Sequence, residues 1–174
     1  MTRDELAQAI KDAAYLEGDF VLSSGKRSRY YLDKWRFETD PDLLREIARG
    51  LAGLLPSPPP HRLAGIELGG VPLAAALALE TGIPYLIVRR EAKGYGTSKE
   101  VEGLFNEGDR VVLVEDVLTT AGQAISAAQR LAKLGLKVER VVYVIDREEG
   151  AEPNLREAGF DPAMLFRKSD LGVG

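Results

Sequence analysis

The chain contains no cysteine and a single histidine, His61, among its 174 residues. Without thiols it can form neither disulfide bridges nor thiolate zinc sites, and one imidazole cannot make a histidine metal cluster. No apolar run approaches the roughly 18 residues of a membrane-spanning helix, and the first residues lack the charged-then-apolar pattern of a secretion signal. These absences predict a cytoplasmic protein with no membrane partner, in which any metal arrives with a substrate.

A large excess of charge of either sign is also missing. Lys and Arg number 23 and Asp and Glu 27, which leaves a formal net charge of −4. This balance disfavours broad binding to nucleic acids, although a local basic cluster can still bind a phosphate. The chain is 45% hydrophobic and long enough to form the core of one domain. We therefore expect a single domain over residues 1–174, with small molecules rather than a nucleic acid as its partners.

The most informative segment covers residues 111–122 and reads Val-Val-Leu-Val-Glu-Asp-Val-Leu-Thr-Thr-Ala-Gly. Its first four residues are apolar and three of them are β-branched, which is typical of a buried strand in a parallel sheet. Such a strand delivers Glu115 and Asp116 to the carboxyl edge of the sheet, where ligands of open α/β folds bind. The two acids are therefore candidates for binding hydroxyl groups.

Residues 119–122 continue this segment into a helix. The first turn of a helix offers unpaired backbone N–H groups and a partial positive charge, which together suit a phosphate. A ligand that matches both features carries vicinal hydroxyls and a phosphate about one sugar apart, as a ribose 5-phosphate does. The simpler interpretation is an acidic strand end followed by a Thr-rich helix cap.

Strands and helices alternate through the central part of the chain. We predict strands at residues 63–67, 84–88, 111–115 and 140–145, and helices at residues 72–81 and 123–134, preceded by a helix that begins at Pro41 with Asp40 as its cap. This pattern predicts an α/β fold with a mostly parallel central sheet flanked by helices. The pattern stops before about residue 40 and after about residue 150. We expect those two segments to form a small hood over a core of residues 41–150.

The N-terminal segment has its own signals. A capping box of Thr2 and Glu5, followed by apolar residues at helical spacing, predicts a first helix that ends near Gly18. Residues 20–22 and 30–32 enclose a polar, glycine-containing turn. They therefore predict a short β-hairpin.

Two further segments are candidates for phosphate contacts. Residues 67–72 follow the first parallel strand, and Gly69 and Gly70 permit close approach of the backbone to a ligand. A tight strand-to-helix turn explains them equally well. Residues 89–100 are polar, rich in cations and longer than a strand connection requires, although a solvated surface loop has the same composition.

Two other segments could contact a planar group. Residues 24–33 contain paired tyrosines that either belong to the core or cover a ligand. Arg147 follows the strand at residues 140–145, where a buried guanidinium needs an anion. Asp146 or Glu148 could supply it, but a planar bidentate donor suits a planar anionic ligand, and we favour that role.

The strand, acid pair and Thr-Thr-x-Gly turn resemble the phosphoribosyl pyrophosphate (PRPP) motif of the type I phosphoribosyltransferases. Residues 24–33, 89–103 and 145–150 are similar to the hood, the catalytic loop and the base-binding segment of the orotate phosphoribosyltransferases. The resemblance implies a type I phosphoribosyltransferase-like fold and transfer of the phosphoribosyl group from PRPP to orotate in pyrimidine synthesis. It also implies Mg²⁺ bound mainly through PRPP, and a homodimer in which the Lys93 loop acts across the interface.

The resemblance assigns roles to particular residues. Those implied to bind PRPP are Arg89, Arg90, Lys93, Tyr95, Gly69, Gly70, Glu115, Asp116, Val117, Leu118, Thr119, Thr120, Ala121, Gly122 and Gln123. Lys93, Arg89 and Arg90 are implied to be catalytic because they face the diphosphate. Thr119, Arg147 and Tyr31 are implied to bind orotate.

The chain departs from the family pattern at four positions. Ala121 stands where glycine is frequent, Gly69 and Ser23 where some relatives have lysine, and Tyr95 where histidine is frequent. The diphosphate contact at Gly69 must therefore use backbone groups or cations from elsewhere in the chain. Two alternatives stay open: a transferase of the same fold for another base, and a non-catalytic regulator that senses PRPP.

Overall fold

The computed structural model describes residues 1–90 and 99–173. The helices are α1 (Arg3–Ala14), α2 (Trp35–Glu38), α3 (Pro41–Ala52), α4 (Gly70–Thr81), α5 (Gly122–Lys133) and α6 (Ala151–Glu157), with a final 3-10 turn at Lys168–Leu171. The strands are β1 (Tyr15–Val21), β2 (Arg27–Leu32), β3 (Arg62–Ile66), β4 (Tyr85–Val88), β5 (Val101–Glu102), β6 (Arg110–Leu118), β7 (Lys137–Asp146) and β8 (Pro162–Arg167). None of these helices combines the length and apolar character that crossing a bilayer requires.

Six strands form the central sheet in the order β5-β4-β3-β6-β7-β8. Five of them run parallel, and β5 pairs antiparallel with β4 at one edge. The predicted mostly parallel sheet is therefore confirmed. Because β3 and β6 are neighbours, the turns that follow them emerge side by side at the carboxyl edge. This pairing brings the glycine turn at residues 67–70 next to the acid pair of β6.

Apolar clusters cover both faces of the sheet. Successive strand residues point to opposite faces, so Val112 joins the cluster that includes α1, α3 and α4, while Leu113 joins the one that includes α5 and α6. Every residue from 111 to 114 is fully buried. The strand that carries Glu115 is therefore held by packing on both sides, which fixes the position of the acids that follow it.

The start of the chain differs from the prediction in where its elements end. The capping box forms, with Glu5 N–H donating to the Thr2 hydroxyl and Thr2 N–H donating to the Glu5 carboxylate. The helix nevertheless ends at Ala14 rather than near Gly18. Tyr15 is already in β1, because pairing with β2 takes its backbone into the hairpin.

The hood also differs from the prediction at its C-terminal part. Strand β8 pairs in parallel with β7 and forms one edge of the central sheet, so residues 162–167 do not belong to the hood. This strand follows the short helix α6, and its half-buried positions give only weak hydrophobic alternation. The hairpin β1–β2 forms a separate two-stranded sheet.

Candidate active site

A cavity of about 370 Å³ lies at the carboxyl edge of the sheet, where β3 and β6 end. Its wall comes from residues 66–69, residues 115–123, Lys34 and Arg90. The acid pair and all of the predicted phosphate turn thus line one space. The volume and the mixture of acids and backbone amides suit a polar ligand of sugar-phosphate size.

Asp116 lies at the inner wall of this cavity and is 3% exposed. Its Oδ2 accepts a hydrogen bond of 2.5 Å from Lys34 Nζ, and its Oδ1 accepts one of 2.5 Å from the Val117 N–H. Burial by itself lowers the pKa of the Lys34 ammonium, but the charge and hydrogen bond of Asp116 outweigh burial and raise that pKa. The wall therefore carries a positive charge beside the acid.

Glu38 lies behind this ion pair and is 2% exposed. It lies one turn after Lys34, the N-cap of α2, and among the described residues neither of its carboxyl oxygens has a hydrogen-bond partner. Burial, aided by the charge of Asp116, raises the pKa of Glu38 to about 9. The raised pKa favours the neutral, protonated form of Glu38 at pH 7.

The glycine turn after β3 packs directly on the acids. A Cβ on Gly69 would overlap the Asp116 carboxylate, and a Cβ on Gly70 would overlap the Val114 carbonyl and come within 3.0 Å of Glu115 Oε1. Burial, together with the charge of Asp116, also raises the pKa of Glu115 well above its ordinary value. Glycine at both positions therefore allows the turn to lie against the acid pair.

The turn into α5 leaves its backbone amides accessible. Ala121 adopts the left-handed conformation, with φ 67°, and no side chain caps the N-terminus of this helix. Thr119 and Thr120 are exposed, and the side-chain amide of Asn154 donates to the Thr120 carbonyl at 2.9 Å. The first turn of α5 thus presents free N–H groups to the cavity, as an anion site requires.

The two described arginines of the predicted diphosphate segment differ in position. Arg90 lines the cavity, and its Nε donates to the Glu67 carbonyl at 3.2 Å. Arg89 does not line it, because its Nε donates to Glu102 at 3.3 Å and its guanidinium lies 3.8 Å from Glu67. Of the two, Arg90 is the arginine that the structure brings to the sugar-phosphate cavity.

Thr119 and Arg147 lie at the ends of neighbouring strands. In the pairing of β6 with β7, Leu118 lies opposite Asp146, so the next residue of each strand is Thr119 and Arg147. The Arg147 N–H donates to the Leu118 carbonyl at 2.9 Å. The predicted base-binding arginine therefore starts one strand away from the phosphate turn.

The Arg147 side chain has few protein partners. It is largely buried, with 16% of the side chain exposed, and its Nε has no hydrogen-bond acceptor among the described residues. Its Nη2 lies 3.5 Å from the Tyr30 hydroxyl and 3.7 Å from Glu149. Tyr31 is not part of this group, because it is 42% exposed and packs against Phe20. Tyr30, rather than the predicted Tyr31, is the tyrosine next to Arg147.

The two acids that could have neutralised Arg147 are bound to other groups. Asp146 accepts hydrogen bonds from the Tyr143 hydroxyl at 2.8 Å and from the Glu148 N–H at 2.7 Å. Glu148 accepts from the backbone and hydroxyl of Ser169. Apart from the Glu149 carboxylate at 3.7 Å, no acid is paired with the guanidinium among the described residues, and its Nε remains without an acceptor.

Lys93 and Tyr95 lie outside the described residues, together with the rest of residues 91–98. In the part of the chain that is described, no group of three His, Asp or Glu side chains is placed to hold a metal ion. The described site therefore consists of the acid pair, the α5 amides, the glycine turn and the cations of Lys34, Arg90 and Arg147.

Two residues of this site were missed in the sequence. Lys34 and Glu38 lie four positions apart, which places them on one face of a helix. Helix α2 has only four residues, however, and no hydrophobic period marks it. The spacing of a lysine and a glutamate directly after the hairpin was the available signal.

Comparisons with known proteins agree with this geometry. Residues 39–158 match the model of the phosphoribosyl transferase domain family. An orotate phosphoribosyltransferase from Natronomonas pharaonis is 46% identical over 172 residues, which cover 98% of both chains. The solved orotate phosphoribosyltransferase of Mycobacterium tuberculosis in complex with PRPP superimposes with a TM-score of 0.84 at 28% identity, covering 98% of this chain and 99% of that one. A UMP synthase from Leishmania donovani gives a TM-score of 0.85 at 34% identity, and the match covers 98% of this chain and 37% of that longer chain.

The fold and the cavity at its carboxyl edge define a type I phosphoribosyltransferase, which confirms the predicted fold class. Identity above 40% to several relatives over nearly the whole chain narrows the class further. The chain belongs to the orotate phosphoribosyltransferase family.

Proposed function

We propose that this protein transfers the 5-phosphoribosyl group from PRPP to orotate, which yields orotidine 5′-monophosphate and diphosphate for pyrimidine nucleotide synthesis. The observation that carries the proposal is the cavity that joins the acid pair, the uncapped start of α5 and the glycine turn. The partner-poor guanidinium of Arg147 lies one strand away. Together these groups match a ribose, two phosphate positions and an anionic base.

The charged and polar groups of the cavity explain how the ribose and its phosphate are bound. Glu115 and Asp116 accept hydrogen bonds from the ribose hydroxyls, and the amides of residues 119–123 bind the 5-phosphate. As the bond from C1 to the diphosphate breaks, positive charge develops at C1 and negative charge on the leaving group. The acids lie on the ribose side, and the Gly69-Gly70 turn and Arg90 lie on the leaving-group side. Such preorganised charges stabilise the transition state more than the ground state.

Attack by the base requires that the orotate ring be oriented toward C1 of the ribose. Arg147 binds the orotate carboxylate or ring oxygens as a bidentate donor, and Thr119, beside it at the end of β6, adds a hydrogen bond. Holding the ring nitrogen close to C1 removes much of the entropic barrier to attack. Tyr30 covers the base, since its hydroxyl and ring already contact the guanidinium.

Mg²⁺, if bound with the diphosphate, would supply further neutralisation of the leaving group. Glu67, Glu115 and Asp116 line the cavity wall and are the acids that would face a metal arriving with the diphosphate. We also assign Lys93 and Arg89 to the diphosphate, which requires Arg89 to leave the Glu102 and Glu67 carboxylates that it contacts in the structure.

The working unit in this proposal is a homodimer. Helix α4 is apolar on almost every side, Leu79 is 90% exposed, and a shallow groove between Ala75 and Tyr85 has almost only apolar walls. An apolar surface of this kind favours a second copy of the chain. Helix α4 is followed in the chain by β4 and then by residues 89–99. An interface formed by α4 and β4 would therefore bring the segment that contains Lys93 near the cavity of the partner subunit.

Complementation tests the shared site. Lys93→Ala and Arg147→Ala proteins, each inactive alone, should regain about one quarter of wild-type turnover when unfolded together and refolded as a 1:1 mixture, because half of the dimers are mixed and one of their two sites is intact. Refolding each variant alone is the control. No recovery in the mixture, despite a dimer in sedimentation, would place Lys93 in its own subunit's site.

The reaction itself is tested by mixing the protein with PRPP, Mg²⁺ and orotate and following the loss of orotate absorbance. Asp116→Asn should abolish turnover, whereas Asp12→Asn, a matched change on the exposed face of α1, should not. Turnover with a purine and not with orotate would reassign the base. Binding of PRPP without turnover of any base would indicate a regulator.

A further inference from the structure

Lys34 occupies a position between the two halves of the cavity wall. Its Nζ is bonded to Asp116 Oδ2, and it lies 3.3 Å from the point where a Cβ on Gly69 would stand. The side chain is 32% exposed, and the ammonium also lies 5.1 Å from the centroid of the Trp35 ring. The charge is thus next to the glycine turn on one side and to the acid pair on the other.

The bonds of Asp116 explain why the ammonium can be displaced. One carboxylate oxygen is already occupied by the Val117 N–H, and Lys34 occupies the other. A ribose hydroxyl that donates to Oδ2 would compete with the lysine for this oxygen. Asp116 is the only acid among the described residues to which Lys34 Nζ is hydrogen-bonded, so the exchange breaks this one ion pair.

The displaced ammonium has a short way to a new partner. The glycine turn is the wall to which we assigned the diphosphate, and Gly69 has no side chain to keep the lysine from it. Arg90 is the other described cation of the cavity wall. A flexible four-carbon side chain can move between the two positions while its backbone stays at the N-cap of α2.

We propose that Lys34 is a diphosphate-binding residue that exchanges Asp116 for the diphosphate of PRPP when the substrate enters. The inference rests on the proposed function. In the free protein the ammonium neutralises the acid, and in the complex it neutralises the leaving group. Because the charge of the diphosphate grows as the bond to C1 breaks, Lys34 contributes to turnover as well as to binding.

The test compares two ligands that differ only in the diphosphate. Isothermal titration of Lys34→Met should show PRPP affinity reduced by about 10-fold or more, as expected for loss of a charged hydrogen bond, and ribose 5-phosphate affinity changed less than about threefold. Lys133→Met, the same change on the exposed C-terminal turn of α5, is the control. Equal losses for both ligands would make Lys34 a structural partner of Asp116 and overturn the proposal.

A second pair of variants removes the risk that an unpaired Asp116 unfolds the protein. Asp116→Asn and Asp116→Asn/Lys34→Met both lack the buried charge, and the probe is inorganic diphosphate with Mg²⁺. We expect the single variant to bind it and the double variant to bind it at least about 10-fold more weakly. If both variants bind diphosphate equally well, the role proposed for Lys34 is wrong, but the proposed function is not affected. A wild-type protein that does not bind PRPP overturns the proposed function, and this inference with it.

Discussion

The guanidinium of Arg147 lies against the ring of Tyr30, with Cζ 5.9 Å from the ring centroid. Tyr30 in turn stacks on Tyr15 of β1, with ring centroids 5.8 Å apart. The hairpin therefore supports an arginine that comes from the far end of the chain. An anion bound by Arg147 would lie under an aromatic side chain with a fixed orientation.

The first prediction concerns the base. Arg147→Gln should raise the KM for orotate by about 10-fold or more, because a charged hydrogen-bond donor is lost from a largely buried site. The dissociation constant for PRPP should stay within about threefold, since the acid pair and the α5 turn are unchanged. Steady-state kinetics and titration give the two values, and a parallel loss of both would point to misfolding.

The two tyrosines allow a matched comparison. Tyr30→Leu should also raise the KM for orotate, because Tyr30 contacts Arg147. Tyr31→Leu removes an equal side chain that packs on Phe20 instead, and its effect on that KM should be smaller. If Tyr31→Leu proves the more harmful, the original sequence assignment of Tyr31 is right and the role given to Tyr30 is wrong.

The second prediction concerns the glycine turn. Gly69→Ala places a Cβ where the Asp116 carboxylate lies, so the turn and the acid must separate. Turnover should fall by about 10-fold or more, since misplacing a binding group by about 1 Å can reduce a rate 100-fold. Gly53→Ala, at the end of α3, meets one backbone oxygen at 3.3 Å and should keep near-normal turnover. Normal turnover of Gly69→Ala would mean that Asp116 need not stay in place.

The third prediction concerns the left-handed residue before α5. Ala121→Gly removes the strain of a side chain at φ 67° but also a buried methyl group, so we expect a net stability change within about 1 kcal/mol. Ala121→Val adds a β-branched side chain at the same φ and should destabilise by more than about 1 kcal/mol. Urea unfolding measures both. A valine variant as stable as wild type would show that the turn relaxes freely.

The fourth prediction concerns Glu38 and pH. The pKa of about 9 in the folded protein lies above the ordinary 4.5, so the folded state keeps a proton that the unfolded state releases. Stability is therefore highest below the ordinary pKa and is lost as pH rises toward 9. The slope from this one group is at most about 1.4 kcal/mol per pH unit. Asp116 and Glu115 raise this pKa and Lys34 lowers it.

Glu38→Gln removes that titration while keeping the size of the side chain. Its unfolding free energy should exceed that of the wild type at pH 8, and the difference should grow between pH 5 and pH 9. Urea unfolding at several pH values makes the comparison. The exposed Glu157→Gln serves as the matched variant, with no such growth. A constant offset between Glu38→Gln and wild type would show that Glu38 is already ionised.

The central fold could be predicted because its signals are local and strong. Three local features are present as expected: the run of buried residues before Glu115, the Asp40 cap, and the start of α3 at Pro41. Each depends on neighbours within a few positions. The acid pair and the turn after it could be located for the same reason. A single strand and the helix that follows it determine where both lie.

The remaining features depend on contacts between distant parts of the chain. The ion pair of Lys34 with Asp116 spans 82 positions, and the contact of Arg147 with Tyr30 spans 117. Which of two adjacent tyrosines faces inward depends on the register of the hairpin, and a one-residue shift exchanges them. Strand β8 was missed because its membership of the sheet is decided by β7 rather than by its own alternation.

The ion pair of Lys34 with Asp116 also has a consequence for the folding of the chain. An intermediate with an assembled sheet but an undocked α2 would present Glu115 and Asp116 to solvent without their lysine, and two bare acids repel a polyphosphate. Full affinity for a diphosphate would therefore require that α2 be docked against the assembled sheet.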